Sequence, residues 1–389
     1  MRTYRGHIHT GREDLGPGTI TVDGQVIHSI TPDESGSDDP TLPLILPGFA
    51  DLHNHGGAGG AFPTGTLDEC RRAALYHRAH GSTTLFASLV SAPGPQLVEQ
   101  TARLADLADE GLITGVHMEG PFIAACRCGA QDPAAIIPGD PEIFAQVIRA
   151  GRGYLRQITF APETAHALEL LDLCAEHGVI ASLGHTDADF ATTARIIGEA
   201  AERGVTVTAT HLFNAMPQLH HRNPGPIAAL LERAGKGVAG VEIIADGVHL
   251  ADDTVDFLDS ATEHAFLITD AMEAAGKPDG QYILGALDVT VADGIARLTP
   301  GPGEEGPGAI AGGTSTIASQ VQRHLARGWS LGHAVEMSSA RAAAVLGTAA
   351  PVLAPGEPAT FVLLHPAGGV ERCVAAGTDL SPEEEPWRF

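Results

Sequence analysis

From about residue 48 the chain alternates short apolar, β-rich runs with stretches of helical periodicity. The runs end near His53, Ser88, Glu119, Glu163, His185, His211, Asp246 and Asp270, eight in all. Between them, apolar positions recur at helical spacing and predict helices over 67–80, 96–110, 165–177, 190–203 and 254–264. Alternation of this kind builds parallel strands joined by right-handed crossovers, and eight units in about 230 residues suit a closed (β/α)8 barrel of the TIM type. A doubly wound open sheet is the alternative. It would gather polar residues at one switch point, whereas here they stand at the ends of most runs, where barrel enzymes place their sites.

The flanks follow a different pattern. Residues 1–46 alternate apolar and polar positions around turn signals such as Asp23-Gly24 and predict a small β element. After Asp270 come a Gly-rich, strand-like insert (280–285 and 289–298) and helices around 316–327 and 333–346. Strand character resumes at 359–365 and 370–376. The expected organisation is a barrel domain over 47–347 and one small discontinuous β domain made of 1–46 and 348–389.

Chemistry enters at the first run, Phe49-Ala-Asp-Leu-His53-Asn-His55. Residues two apart on a strand share a face, so both imidazoles can reach one metal ion. His7 and His9 share that spacing but read as solvated histidines of a plain strand. The pair at 53 and 55 gains weight from the other run ends, Glu119, His185, His211 and Asp270. Imidazoles and carboxylates around one open rim make a hydrolytic metal centre, in which a divalent ion lowers the pKa of bound water. If two ions bind, Glu119 is the bridging candidate, because the fourth run, Ile158–Glu163, has no lysine to carry a bridging carbamate.

Charge narrows the partners. Lys+Arg total 23 against 48 Asp+Glu, a net charge of −25, which argues against a nucleic-acid partner and leaves only a local cluster to catch a small anion. Arg222 and His249 could supply that positive charge, and all three asparagines, Asn54, Asn214 and Asn223, fall beside the proposed site. Five cysteines without framework spacing point to a reducing, cytoplasmic setting, and no run approaches the roughly 20 apolar residues that span a bilayer.

Several segments share one family order: His-Met-Glu-Gly-Pro-Phe at 117–122, Ala161-Pro-Glu163, Gly184-His185-Thr186, Thr210–Pro217, Ala245–His249 and Thr269-Asp-Ala271. Through them the chain resembles the N-acetylglucosamine-6-phosphate deacetylase family of the amidohydrolase superfamily. The resemblance implies loss of acetate from an amino-sugar phosphate, with one or two divalent ions, zinc or iron, per subunit. It implies that Glu119, His185 and His211 hold the main ion and that His53 and His55 serve a second. Asp270 matches the general base; a pure ligand or a structural cap is the other reading of that residue. Asn214, Ala215 and His249 match residues serving the subunit's own substrate, while Arg222 matches an arginine that reaches the neighbouring subunit's phosphate, which implies a homodimer. Where the family commonly has Lys-Gly-Ala-His, this chain has Cys128-Gly-Ala-Gln131, so Gln131 takes a substrate-binding position without the means to carry charge. Another cyclic-amide or nucleobase hydrolase, and a non-catalytic scaffold, are the competing readings.

Overall fold

The computed structural model describes residues 1–33, 39–301, 306–365 and 368–388. Four strands open the chain: β1 (Arg2–His9), β2 (Asp14–Asp23), β3 (Val26–Pro32) and β4 (Leu44–Pro47). Eight short strands follow: β5 (Phe49–Asp51), β6 (Ser82–Leu89), β7 (Gly115–Glu119), β8 (Leu155–Phe160), β9 (Ile180–Leu183), β10 (Val207–Ala209), β11 (Ala239–Ile243) and β12 (Ala265–Leu267). They pair in chain order, every pair parallel, as a nearly closed barrel. The connecting helices are α1 (Leu67–Ala79), α2 (Gly94–Asp109), α3 (Pro141–Ala150), α4 (Ala167–His177), α5 (Phe190–Glu202), α6 (Gly225–Ala234) and α7 (Asp252–Ala261). An eighth, α8 (Ile317–Ala326), follows β12 after a three-stranded antiparallel insert, β13 (Gly280–Leu284), β14 (Leu287–Ala292) and β15 (Ile295–Leu298).

Local chemistry fixes where these helices start and stop. Thr66 caps α1 by accepting from the Glu69 N–H, and Glu69 accepts from the Thr66 N–H in return, satisfying donors at the helix start that have no partner within the helix. Gly178, at φ +65°, ends α4 in a left-handed conformation that a side chain would disfavour. The inward helix faces bury Leu104, Phe144, Leu170, Ile197, Leu230 and Leu258 against strand residues such as Leu85, Met118 and Phe160 in one continuous core.

Both chain ends meet in a separate seven-stranded sheet. The closing strands β16 (Phe361–His365), β17 (Gly369–Ala375) and β18 (Thr378–Leu380) join it in the order β18-β17-β16-β4-β1-β2-β3. Tyr4, Ile8, Ile20, Ile45, Phe361 and Val374 form its own core. The solvated reading of the early histidines needs correction at His9, which is buried; His7 stays partly exposed, 2.6 Å from Asp14.

Polar side chains tie the first barrel strand to the last. The buried Asp51 carboxylate accepts from the Thr269 N–H (3.1 Å), the Thr269 hydroxyl (2.6 Å) and the Asn54 amide (2.9 Å). The Thr269 oxygen accepts in turn from the Asn54 amide and the Ala271 N–H. Backbone bonds continue the seam, from the Asp270 N–H to the His53 carbonyl (2.9 Å) and from the His55 N–H to the Ala271 carbonyl (2.7 Å). Thr269→Val keeps the side-chain shape but removes this hydroxyl, leaving the Ala271 N–H without its acceptor. We expect a stability loss of about 1–3 kcal/mol in denaturant unfolding; an unchanged midpoint would contradict the stabilising role of the seam.

Candidate metal centre

The ligand candidates stand at the C-terminal ends of the barrel strands because each apolar run stops where the chain turns over the rim. Glu119 closes β7, whereas His185, His211 and Asp270 lie two or three residues beyond β9, β10 and β12. Those last three adopt positive φ (47°, 28° and 49°), an uncommon conformation for side-chain-bearing residues and one that recurs at functional sites. His53 and His55 follow β5, on the seam.

The six side chains meet in two clusters. His53, His55 and Asp270 form one and Glu119, His185 and His211 the other, with the ligand atoms of each within 4.8 Å of one another. Glu119 sits between them. Its Oε1 lies 3.1 Å from His185 Nε2 and 3.0 Å from His211 Nε2, while Oε2 lies 3.2 Å from His55 Nε2. Asp270 Oδ1 is 3.4 Å from His53 Nε2 and 3.2 Å from His55 Nε2. The paired imidazoles place Nε2 atoms 3.1 Å apart in both clusters, His53 to His55 and His185 to His211. Two nitrogens bound to one tetrahedral ion at 2.0–2.1 Å would be about 3.3 Å apart, so the spacing fits a shared ion in each cluster.

Nitrogen orientation agrees with that reading. All four histidines aim Nε2 at the carboxylates. Behind them, His55 Nδ1 faces the Ser88 carbonyl (3.2 Å) and His185 Nδ1 the Arg127 carbonyl (2.9 Å), the usual way of fixing the tautomer of a ligand histidine. His211 Nδ1 is buried without a hydrogen-bond partner among the described residues.

Electrostatics mark the cluster as short of positive charge. Burial alone would lower the His53 pKa, but Glu119 and Asp270 reverse this and hold it well above the ordinary histidine value. His55 is raised in the same way. Burial likewise opposes ionisation of Glu119 and Asp270, yet the neighbouring imidazoles hold both below the usual carboxylate range. Protons on the imidazoles or a divalent ion can supply the missing charge.

Above the clusters opens a cavity of about 240 Å³, lined by His55, Glu119, Gln131, His185, His211, Asn214, Ala215, His249 and Asp270. Gln131 reaches it with its amide already engaged: the NH2 donates to Glu119 Oε2 (2.6 Å), and the oxygen accepts from the Ser91 N–H (2.6 Å). His249 pairs with Asp246 at 2.9 Å, so its charge is largely matched within the chain. Arg222 is exposed and absent from this lining, and so is Asn223. Only Asn214 of the three asparagines faces the cavity; Asn54 is buried in the seam. A larger hollow of about 550 Å³ lies around the N-terminal ends of β10 and β11 and holds none of the six candidate ligands.

Two groups of residues escaped the sequence reading. Leu284, Ala309 and Ile310, from the insert and the loop after it, cover part of the cavity, and their plain apolar character gave no hint of it. Beneath the clusters, the barrel interior carries buried Ser88, His117, Gln157, Thr159, Ser182, Thr210 and Glu242, where branched aliphatic residues are the norm. The available signal was a lone acid inside the apolar run Ala239-Gly-Val-Glu-Ile243.

Comparison with known proteins fits this geometry. Residues 44–380 match the model of the Amidohydrolase family. The chain is 34% identical to N-acetylglucosamine-6-phosphate deacetylase of Bacillus subtilis (strain 168) over 272 residues, 67% of this chain and 66% of that protein, just under two thirds of its length. It is 29% identical to N-acetylgalactosamine-6-phosphate deacetylase of Escherichia coli O157:H7, over 87% of this chain and 88% of the relative. Among solved structures, a mutant N-acetyl-D-glucosamine-6-phosphate deacetylase from Mycobacterium smegmatis, in complex with N-acetyl-D-glucosamine-6-phosphate, superposes with a TM-score of 0.88 at 36% identity, covering 97% of this chain and 99% of that one. On the family match, the shared fold and the paired ligand clusters, the chain belongs to the amidohydrolase family.

Proposed function

We propose that this chain hydrolyses the N-acetyl group of N-acetylglucosamine 6-phosphate, yielding glucosamine 6-phosphate and acetate. The observation that carries the reading is Glu119 placed between two candidate ligand clusters, with Asp270 beside both His53 and His55, at the floor of a cavity. The chain's similarity to amino-sugar phosphate deacetylases over most of its length supports the substrate class.

In this reading Glu119, His185 and His211 would hold the main ion, and His53, His55 and Asp270 a second, each zinc or iron. A divalent ion held there would supply polarisation of the amide carbonyl and a lower pKa for the attacking water. Asp270 takes a proton from that water as its oxygen bonds to the acetyl carbon. It then returns the proton to the sugar nitrogen as the C–N bond breaks, and acetate and the free amine leave. The cavity walls at Gln131, Asn214, Ala215 and His249 orient the sugar ring. Among the described residues that line the cavity there is no lysine or arginine, which leaves the phosphate without a strong cation from its own subunit. Arg222 of a second copy, in a homodimer, meets that need, and its exposure suits such a reach. The five cysteines are free thiols, which supports a cytoplasmic setting; no helix among the described residues is long and apolar enough to cross a membrane.

Acetate release should be measured on N-acetylglucosamine 6-phosphate, its 4-epimer and the unphosphorylated sugar. Preference for the first supports the assignment, and activity confined to an unrelated amide ends it. Chelator-stripped protein should lose turnover and regain it on metal addition; full activity after stripping would refute the metal role. Asp270→Asn should keep at least the main ion, by elemental analysis, while turnover falls roughly 100- to 10,000-fold. Near wild-type turnover would remove Asp270 as the base. Arg222→Ala should raise the Michaelis constant for the phosphorylated sugar roughly 10- to 100-fold, leaving the slow reaction of the plain sugar unchanged. An unchanged constant would discard the phosphate contact.

A further inference from the structure

Glu242, on β11, is fully buried and points beneath the two ligand clusters. Every partner it has is a donor. Oε1 accepts from the Gln157 amide (2.7 Å) and lies 3.4 Å from the Ser182 hydroxyl. Oε2 accepts from the His211 N–H (3.2 Å) and lies 3.2 Å from His53 Nδ1. Its one ionic contact among the described residues is therefore His53. The other candidate ligand histidines lack such a partner among the described residues: His55 and His185 have backbone carbonyls at Nδ1, and His211 has no hydrogen-bond partner there. A carboxylate in that place fixes Nδ1 as the protonated nitrogen, leaves the Nε2 lone pair free, and makes the ring a stronger electron donor than a carbonyl would. The same oxygen that holds the His53 ring also holds the backbone of His211, so one group spans the floor of both clusters.

We propose that Glu242 is a positioning residue that locks His53 in its Nδ1–H form and so gives the His53–His55–Asp270 cluster its affinity for metal. The inference rests on the metal reading above and adds to it an asymmetry between the two clusters. It needs no contact between Glu242 and substrate. Glutamine is the informative replacement, being nearly the same shape. Its NH2 must turn toward one of two sets of donors, either Gln157 and Ser182 or His53 and His211, so it cannot reproduce the pattern.

The test is a cobalt titration of metal-stripped full-length protein, wild type and E242Q, followed by the visible absorption of the bound ion. Wild type should take up two equivalents. E242Q should keep one, while the affinity for the other falls roughly 10- to 100-fold. Superimposable isotherms, or a loss spread equally over both equivalents, would overturn the positioning role. Wild type that binds one equivalent overturns it too, while wild type that binds none also sinks the metal reading. Should E242Q fail to fold, the nitrogen-15 spectrum of the zinc-loaded wild type decides the matter. His53 must appear as the Nδ1–H tautomer, and an Nε2–H signal refutes the proposal.

Discussion

Burying carboxylates is the constraint around which this molecule is built. Asp51, Glu119 and Glu242 are buried inside the barrel and Asp270 nearly so, and the hydrogen bonds recorded for them come from imidazoles, amides, hydroxyls and backbone N–H groups. Unpaired, such groups would be costly in a low-dielectric interior. The protein answers in two ways. Asp51 is surrounded by neutral donors and ties strands together; burial pushes its pKa up despite them. Glu119 and Asp270 are surrounded by histidines whose second nitrogens are mostly held from behind, an arrangement that leaves room for a cation.

The rim geometry follows from the same demand. Parallel strands end at one face of the barrel, so residues separated by more than two hundred positions arrive at neighbouring places without any long loop. The chain must then turn each candidate ligand inward. At His185, His211 and Asp270 it does so through left-handed backbone, at a local cost that the surrounding hydrogen bonds offset. Below them, Thr159, Ser182 and Thr210 link to one another and, through Ser182, to Glu242, so the floor of the site is polar and directional rather than oily.

Much of this was legible in the sequence, for a physical reason. Strand ends in a barrel are where apolar runs stop, so His53, Glu119, His185, His211 and Asp270 announced themselves as polar residues at the close of five of the eight β-rich segments. The return of both chain ends to one sheet also followed from their strand periodicity. What stayed hidden was whatever depends on orientation inside the barrel. Glu242 and His117 lie within strands, and periodicity alone does not separate an inward face from an outward one when both are buried. His9 looked solvated because one strand face cannot be told from the other before the sheet is assembled. Gln131 was visible as a departure from the family pattern, but its grip on the Glu119 carboxylate was not.

The joint between the first and last barrel strands runs through residues 51–55 and 269–271, the same segments that aim His53, His55 and Asp270. The same hydrogen bonds therefore join the two edge strands and place three of the six candidate ligands. A substitution that loosens this join would also misplace the three side chains above it, so the wall of the cylinder cannot be altered there without disturbing the rim.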